Sequence, residues 1–145
     1  MTRIENAQKK DLKEIAKLMI EELSKPPFNE KTNLKSVLKS LNFYFNIEKI
    51  FILREKGEIV GILEFITEQW WEGKVIIIED LVIKNKYKSK GFGKLLMKKL
   101  EKYARQKKIK SINFQTNKKA ISVKFYEKLG YKVKKNTIFM RKEIR

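Results

Sequence analysis

The run Val75-Ile-Ile-Ile-Glu-Asp-Leu-Val-Ile83 constrains this chain more than any other stretch. Side chains alternate between the two faces of a strand, and here both alternating sets are mostly apolar. A strand that is apolar on both faces belongs in the middle of its sheet. From Gly91 to Lys107 the period changes: Phe92, Leu95, Leu96, Leu100, Tyr103 and Ala104 fall on one face of a 3.6-residue helix. A central strand that hands over to an amphipathic helix points to a mixed α/β fold.

Other segments fill out that frame. Leu12, Ile15, Ala16, Met19 and Leu23 recur at helical spacing, with Asp11 at the end where the helix dipole favours an acid. Pro26 and Pro27 mark a loop, and Leu34, Val37, Leu38 and Leu41 suggest a second helix. IFILRE, the pair Lys56-Gly57 and EIVGILEFITE read as a hairpin. SINFQT reads as a further strand, Ala120 to Leu129 as a helix stopped at Gly130, and the tail YKVKKNTIFMRKEI as a final hairpin turning near Lys135-Asn136. Neither a repeat nor a low-complexity linker divides the chain, so one α/β domain over residues 1–145 is expected.

Composition narrows the chemistry. With 42% apolar and 36% charged residues, the chain suits a soluble globular domain. No apolar run approaches the ~20 residues of a membrane span, and the opening MTRIENAQKKDLKE has no signal-peptide core. The expectation is a cytoplasmic protein with no membrane partner. The chain contains no histidine and no cysteine. The usual general base, imidazole and thiolate metal ligands, and an acyl-thioenzyme route are therefore all missing, and no metal is expected. Catalysis has to rest on carboxylates, lysine, tyrosine, hydroxyls or backbone groups.

The formal charge is +18, and it is uneven: Lys84 to Lys110 holds twelve basic residues against the single acid Glu101. Such a field attracts polyanions, whether nucleic acid, an acidic membrane or a phosphorylated cofactor. A lysine-rich solvated surface explains many of the same residues. Within this stretch, Lys88-Ser-Lys-Gly-Phe-Gly93 sets two glycines at the start of the long helix. Glycine permits positive φ and a close approach of backbone to ligand. The first amides of a helix lack internal partners and carry the positive end of its dipole, which suits a pyrophosphate. An ordinary strand-to-helix turn decorated with lysine fits the residues as well. A dinucleotide fingerprint is absent, because the third glycine and the later acid are lacking, and the P-loop ending Gly-Lys-Ser/Thr is absent too.

Taken together, EDLVIKNKYKSKGFGKLLMKKLEKYA, a strand, and VKFYEKLGYKV resemble the GNAT superfamily of N-acetyltransferases. The family's coenzyme A loop is Gln/Arg-x-x-Gly-x-Gly/Ala, and here it reads Lys88-x-x-Gly91-x-Gly93. RIENAQKKDLKEIAKLM resembles the family's first strand and helix, so the likeness covers nearly the whole chain, most specifically residues 79 to 131. The implied fold is a central mixed, splayed sheet of about six to seven strands flanked by about four helices.

The resemblance also implies an activity: an acetyl group passes from acetyl-coenzyme A directly to a primary amine of a peptide, protein or small molecule in a ternary complex. It implies that the backbone amides of Ser89, Lys90, Gly91, Phe92, Gly93 and Lys94 hold the pyrophosphate, with Lys88 at the head of the loop. Leu81, Val82 and Ile83 pair their backbone with the pantetheine arm. Tyr126 matches the tyrosine that protonates the departing thiolate. Ile121, Phe125 and Leu129 form the apolar face of its helix, which leaves Ser122 and Tyr126 together on the flank as candidate cofactor contacts. A half-buried packing role for Tyr126 is the alternative at the level of the residues.

Departures from the family pattern bear on the site. Lys88 keeps a positive charge but lacks the planar fork of arginine. Where many members carry asparagine, seven residues before the tyrosine, this chain has Lys119; the nearest asparagine, Asn117, is a candidate cofactor contact or a helix cap. Glu79 and Asp80 interrupt the apolar central strand. Buried carboxylates need partners, so one of them is expected at a cleft or bulge, and burial raises a carboxyl pKa towards useful base values. Glu79 is the candidate general base; a structural carboxylate is the alternative. The acceptor side is expected near Ser24 to Asn29 and the turn Gln69-Trp-Trp-Glu72, where Trp70 and Trp71 line a pocket or a partner surface, or pack in the core or a dimer contact. Monomer and homodimer both remain open. From other classes, a non-catalytic coenzyme A sensor and a basic nucleic-acid-binding module are the rival readings.

Overall fold

Strands Thr2–Asn6 (β1), Lys49–Glu55 (β2), Glu58–Trp70 (β3), Gly73–Ile83 (β4) and Ile112–Asn113 (β5) form one sheet in chain order. Helices Leu12–Leu23 (α1) and Leu34–Tyr44 (α2) fall between β1 and β2, and Phe92–Gln106 (α3) joins β4 to β5. The structure is a computed structural model describing residues 2–120 and 122–144. It divides into two compact units, one ending at Gln115 and one starting at Thr116.

In the first unit β1 to β4 are antiparallel, and the crossover through α3 makes β5 parallel to β4. The apolar run Val75 to Ile83 pairs with β3 along its length. Among the described residues only Ile76 and Ile77 are flanked on both sides, so the run is central to the sheet only near its start. On one face Leu12, Ile15, Ala16 and Met19 of α1 and Leu41 of α2 bury themselves against Ile50, Ile52, Ile62 and Val82. On α3 Leu96, Met97 and Leu100 are fully buried, and the Tyr103 ring meets Phe51 at 6.1 Å and Phe65 at 5.4 Å. Burial of three such side chains stabilises the docked helix by roughly 5–9 kcal/mol. That suffices to hold a helix whose other faces carry mostly lysine. The two helices before β2 are set locally: the Asn33 side chain accepts from the Ser36 amide at 2.9 Å, the N-cap of α2.

Two local features shape the β3–β4 region. Gly61 has no room for a side chain: a Cβ there would lie 2.8 Å from Ile83 Cδ1 and 3.3 Å from Leu96 Cδ1. Its absence lets β4 and α3 close on β3. Beyond Ile77, β4 loses its outer neighbour. β5 pairs only with Ile76 and Ile77, so among the described residues the outer edge of residues 78–83 carries no strand partner.

The sheet has five strands among the described residues, fewer than the six to seven expected. SINFQT contributes only Ile112–Asn113 to a ladder, because β4 diverges from it after Ile77. In the second unit the turn at Lys135–Asn136 is present, but its flanks form no ladder among the described residues. Val133, Ile138, Phe139 and Met140 lie exposed there, so no buried face holds a strand register.

Among its described residues the second unit contains one helix, Ser122–Lys128 (α4). Its end is a Schellman motif: Tyr131 N–H donates to Tyr126 C=O at 3.1 Å and Gly130 N–H to Glu127 C=O at 3.0 Å, with Gly130 at φ +97°. This is the stop expected at Gly130. Ile121, expected on the apolar face of this helix, lies outside the described residues.

Candidate active site

Between β3 and β4 the register breaks once. Phe65 faces Ile78, yet Glu64 faces Asp80, so Glu79 is an extra residue with no partner on β3. This is the bulge expected at one of the two acids. Without it the hairpin register would set Glu79 opposite Glu64. The extra residue puts Asp80 there instead and turns Glu79 outwards, where it is exposed.

The buried Glu64 and the half-buried Asp80 form a carboxyl pair. Glu64, 6% exposed, sits between Ile50 of β2 and Asp80 of β4. Its carboxyl is pushed up to about 10, first by burial, then by a hydrogen bond with Glu48 and the nearby charges of Glu48 and Asp80. Asp80 is pushed up to about 7, again chiefly by burial. The hydrogen bond from Glu64 pulls it back, and the charges of Glu30, Glu79 and Glu48 raise it. Glu79 is also raised, by partial burial first and then by Glu48 and Glu68. At neutral pH Glu64 thus holds a proton and donates it to Asp80. Glu48 also lines a cavity of about 430 Å³ together with Asn46, Phe65, Thr67 and Tyr103.

This pair has a signature in folding. Both groups bind a proton more tightly when folded than when unfolded. Their favourable contribution is complete below the ordinary carboxylate range and is lost as pH rises through about 7 towards 10. Glu64→Gln keeps a donor for Asp80 and removes the charge. Urea unfolding at pH 5 and pH 9 is expected to show the wild type losing on the order of 1–2 kcal/mol more than the variant across that interval. Parallel curves would show that Glu64 is not held protonated.

The glycine turn follows the unpaired edge of β4. A single 3₁₀ turn, Asn85–Tyr87, leads to Lys88, and the Tyr87 ring stacks on Phe92 at 5.9 Å and 25°. Gly91 is the N-cap of α3, with φ +81° and no side-chain cap, and Ser89 shares the left-handed region at φ +67°. Lys88 N–H donates to Asn85 C=O, and the next amide with an internal acceptor is that of Leu95, which donates to Gly91 C=O. Among the described residues the amides of Ser89, Lys90, Gly91, Phe92, Gly93 and Lys94 therefore have no internal acceptor. A Cβ built on Gly91 would meet nothing within 4 Å, so the space before these amides is open. A row of free donors at the positive end of a 15-residue helix is chemically fitted to a pyrophosphate.

Lys88 is less available than its position in the motif suggests. Its Nζ lies 3.3 Å from Oε1 of the buried Glu22 on α1, although the side chain stays about half exposed. Lys86 and Lys90 hold their ammonium groups 5.2 and 5.7 Å from the Tyr87 ring centre. Leu81, Val82 and Ile83 pair with Leu63, Ile62 and Gly61 on one side and leave the other side open, as a pantetheine strand would need.

In the second unit, Ser122 and Tyr126 lie one turn apart on α4. The Tyr126 ring packs edge-on against Phe125 at 5.2 Å and against Tyr131 at 6.2 Å. Asn117 Oδ1 accepts from Lys119 N–H at 2.9 Å and its carbonyl from Ala120 N–H at 2.9 Å, so it shapes the turn before the helix. The Trp70 indole donates to Glu68 at 2.9 Å, while Trp71 at the hairpin tip is fully exposed, which excludes a core role for it within this fold. Two groups escaped the reading of the sequence, Glu64 and Glu22. Glu64 could have been flagged as the one acid inside the apolar run Ile59 to Phe65.

Among the described residues no helix is long and apolar enough to cross a membrane, and no group of three or more acidic, histidine or cysteine side chains is arranged to hold a metal ion. No curated protein matches the chain. Solved structures do. A possible acetyltransferase from Clostridium difficile 630 is similar with a TM-score of 0.88 and 17% identity, over 100% of this chain and 99% of that one. An aminoglycoside N-acetyltransferase in complex with CoA has a TM-score of 0.81 and 17% identity, over 99% and 96%. Glucosamine-6-phosphate N-acetyltransferase from Arabidopsis thaliana has a TM-score of 0.74 and 19% identity, over 100% and 99%. Identities this low speak for the fold alone. The model of the acetyltransferase (GNAT) family matches residues 15–131, a span that takes in the bulged strand, the glycine turn and α4. The chain belongs to the acetyltransferase (GNAT) family and is an acyltransferase.

Proposed function

We propose that this chain transfers acetyl from acetyl-coenzyme A directly to a primary amine in a ternary complex. The observation that carries the proposal is the row of unpartnered amides from Ser89 to Lys94, set beside the open edge of β4 and just beyond an acid-bearing bulge. Acetyl-coenzyme A supplies an acyl group activated as a thioester. The amides of residues 89–94 hold its pyrophosphate, Lys88, Lys90 and Lys94 add positive charge, and the backbone of Leu81, Val82 and Ile83 aligns the pantetheine arm. As the amine nitrogen bonds to the acyl carbon and the carbon–sulfur bond breaks, the amine proton passes to Glu79, directly or through water. Tyr126 returns a proton to the sulfur, with Ser122 and Asn117 as further cofactor contacts.

The acceptor is a cation before it reacts. The charges of Glu30, Glu48 and Glu68, which push up the carboxyls of Glu79 and Asp80, favour an ammonium group on this side of the bulge. Structural relatives named as aminoglycoside and glucosamine-6-phosphate acetyltransferases keep small amines alongside peptide amines as candidates.

Calorimetry with acetyl-coenzyme A, followed by release of free thiol across peptides, polyamines and aminoglycosides, tests the proposal. Micromolar 1:1 binding and thiol release with at least one amine are expected. Binding with flat thiol release across the panel would replace transfer with a sensor role. Salt-sensitive binding to nucleic acid, with none to acetyl-coenzyme A, would overturn both.

A further inference from the structure

Glu22 lies in the last turn of α1, remote in sequence from the residues of the pyrophosphate cradle, and is 5% exposed. A buried carboxylate is costly unless its oxygens are matched, and a helix that packs on a sheet has no need of one. Two of the three partners of Glu22 belong to the turn that leads into the phosphate cradle, and the third, Lys25, follows α1 itself. Oε2 accepts the Asn85 N–H at 3.1 Å and the Lys25 ammonium at 3.1 Å. Oε1 lies 3.3 Å from the Lys88 ammonium. Burial pushes this carboxyl up, but the contacts with Lys25, Asn85 and Lys88 outweigh it and hold it below the ordinary value.

Asn85 and Lys88 are the two ends of one structural piece. The Lys88 amide donates to Asn85 C=O at 3.1 Å, closing the 3₁₀ turn between them. Glu22 thus grips the start of that turn by its backbone and the end by its side chain. The free amides begin at the very next residue, Ser89. We infer that Glu22 is a positioning residue for the pyrophosphate cradle, anchoring the Asn85–Lys88 turn to α1 so that the amides of Ser89 to Lys94 stand in fixed array before the ligand arrives. A preformed row of donors saves the ordering cost that a loose loop would charge against affinity. The inference rests on the assignment of acetyl-coenzyme A to this cradle.

Three variants test it. Glu22→Ala removes every contact and leaves the Asn85 amide without its acceptor. Its affinity for coenzyme A, measured by calorimetry, is expected to fall about tenfold, the scale of one lost hydrogen bond to a buried charge. Turnover at saturating acetyl-coenzyme A is expected to stay within about twofold, so the loss appears in KM rather than kcat. Glu22→Gln keeps an acceptor for Asn85 and should recover most of the affinity. Asn85→Pro deletes the donated N–H at the first position of a 3₁₀ turn, after a residue with ψ 134° that tolerates a following proline. It should weaken binding in the same sense and serves if Glu22→Ala does not fold. In the ligand-free protein the Asn85 amide should exchange with deuterium faster in Glu22→Ala than in the wild type.

Wild-type affinity in folded Glu22→Ala, or in Asn85→Pro, overturns the positioning role while leaving the cradle assignment intact. Equal affinity losses in Glu22→Gln and Glu22→Ala overturn it too, since charge rather than the Asn85 contact would then decide. A wild-type chain that binds no coenzyme A overturns the cradle assignment itself.

Discussion

Gly91→Glu is expected to leave a folded chain whose affinity for acetyl-coenzyme A has fallen at least a hundredfold. Two costs act at this position, and they separate cleanly. The first is conformational: Gly91 sits at φ +81°, where an L side chain costs ~1–2 kcal/mol. No packing cost joins it, because a Cβ there meets nothing within 4 Å. A fold held by the buried residues of β2, β3, β4 and α3 survives a loss of that size, with the melting temperature a few degrees lower. The second cost falls on the ligand alone. A carboxylate at the N-cap of α3 offers its oxygens to the free amides and places a negative charge where a doubly charged pyrophosphate has to sit. Gly91→Ala isolates the first cost and should bind within a fewfold of wild type. Calorimetry on the three proteins, each checked by thermal melting, gives the comparison. Unchanged affinity in folded Gly91→Glu would remove the cradle from the binding site.

How much of this site was legible in advance depended on whether a feature is local. The apolar run Val75 to Ile83, the change of period after Gly91 and the stop at Gly130 are each written in a dozen residues. The helix and its stop stand where their patterns put them, while the strand forms but, among the described residues, is flanked on both sides only at Ile76 and Ile77. The bulge was legible as a need, since two acids in an apolar strand have to escape burial somehow. Which acid escapes was a matter of register. It depends on the turn at Trp71–Glu72 and on the one residue by which β4 exceeds β3 across the Glu64–Phe65 step, and the residues around Glu79 do not show either. Glu64 owes its perturbed state chiefly to burial and to Glu48, with Asp80 across the ladder adding to it, and none of these is written in the residues beside it. Glu22 was less legible still. It follows Glu21 on a helix of ordinary polarity, and 63 residues separate it from the amide that justifies its burial. β5 shows the converse. SINFQT has the composition of a full strand, but a ladder needs a neighbour, and β4 has already turned away. Short-range pattern thus reports elements and turns, whereas the chemistry of this site is created by pairs that meet only after folding.

Tyr126→Phe is expected to lower kcat on the order of a hundredfold, the usual scale of a lost general acid, while the Kd for acetyl-coenzyme A stays within a fewfold of wild type. The substitution is structurally conservative. The Tyr126 ring contacts with Phe125 and Tyr131 need no hydroxyl, and the Schellman closure of α4 uses the Tyr126 carbonyl. The hydroxyl and its proton are lost. A phenol near pKa 10 keeps that proton at neutral pH and can give it to a developing thiolate. The role also carries a dependence on pH that a packing role lacks. A thiol of pKa about 8.5 leaves readily as the anion once the solution is more basic than that. The deficit of Tyr126→Phe should therefore be greatest near pH 7 and narrow above about pH 8.5, with thiol release followed at saturating amine and acetyl-coenzyme A. A deficit of the same size across the whole range would assign Tyr126 to positioning rather than proton transfer. Undiminished turnover at pH 7 would remove it from the mechanism and leave proton return to solvent.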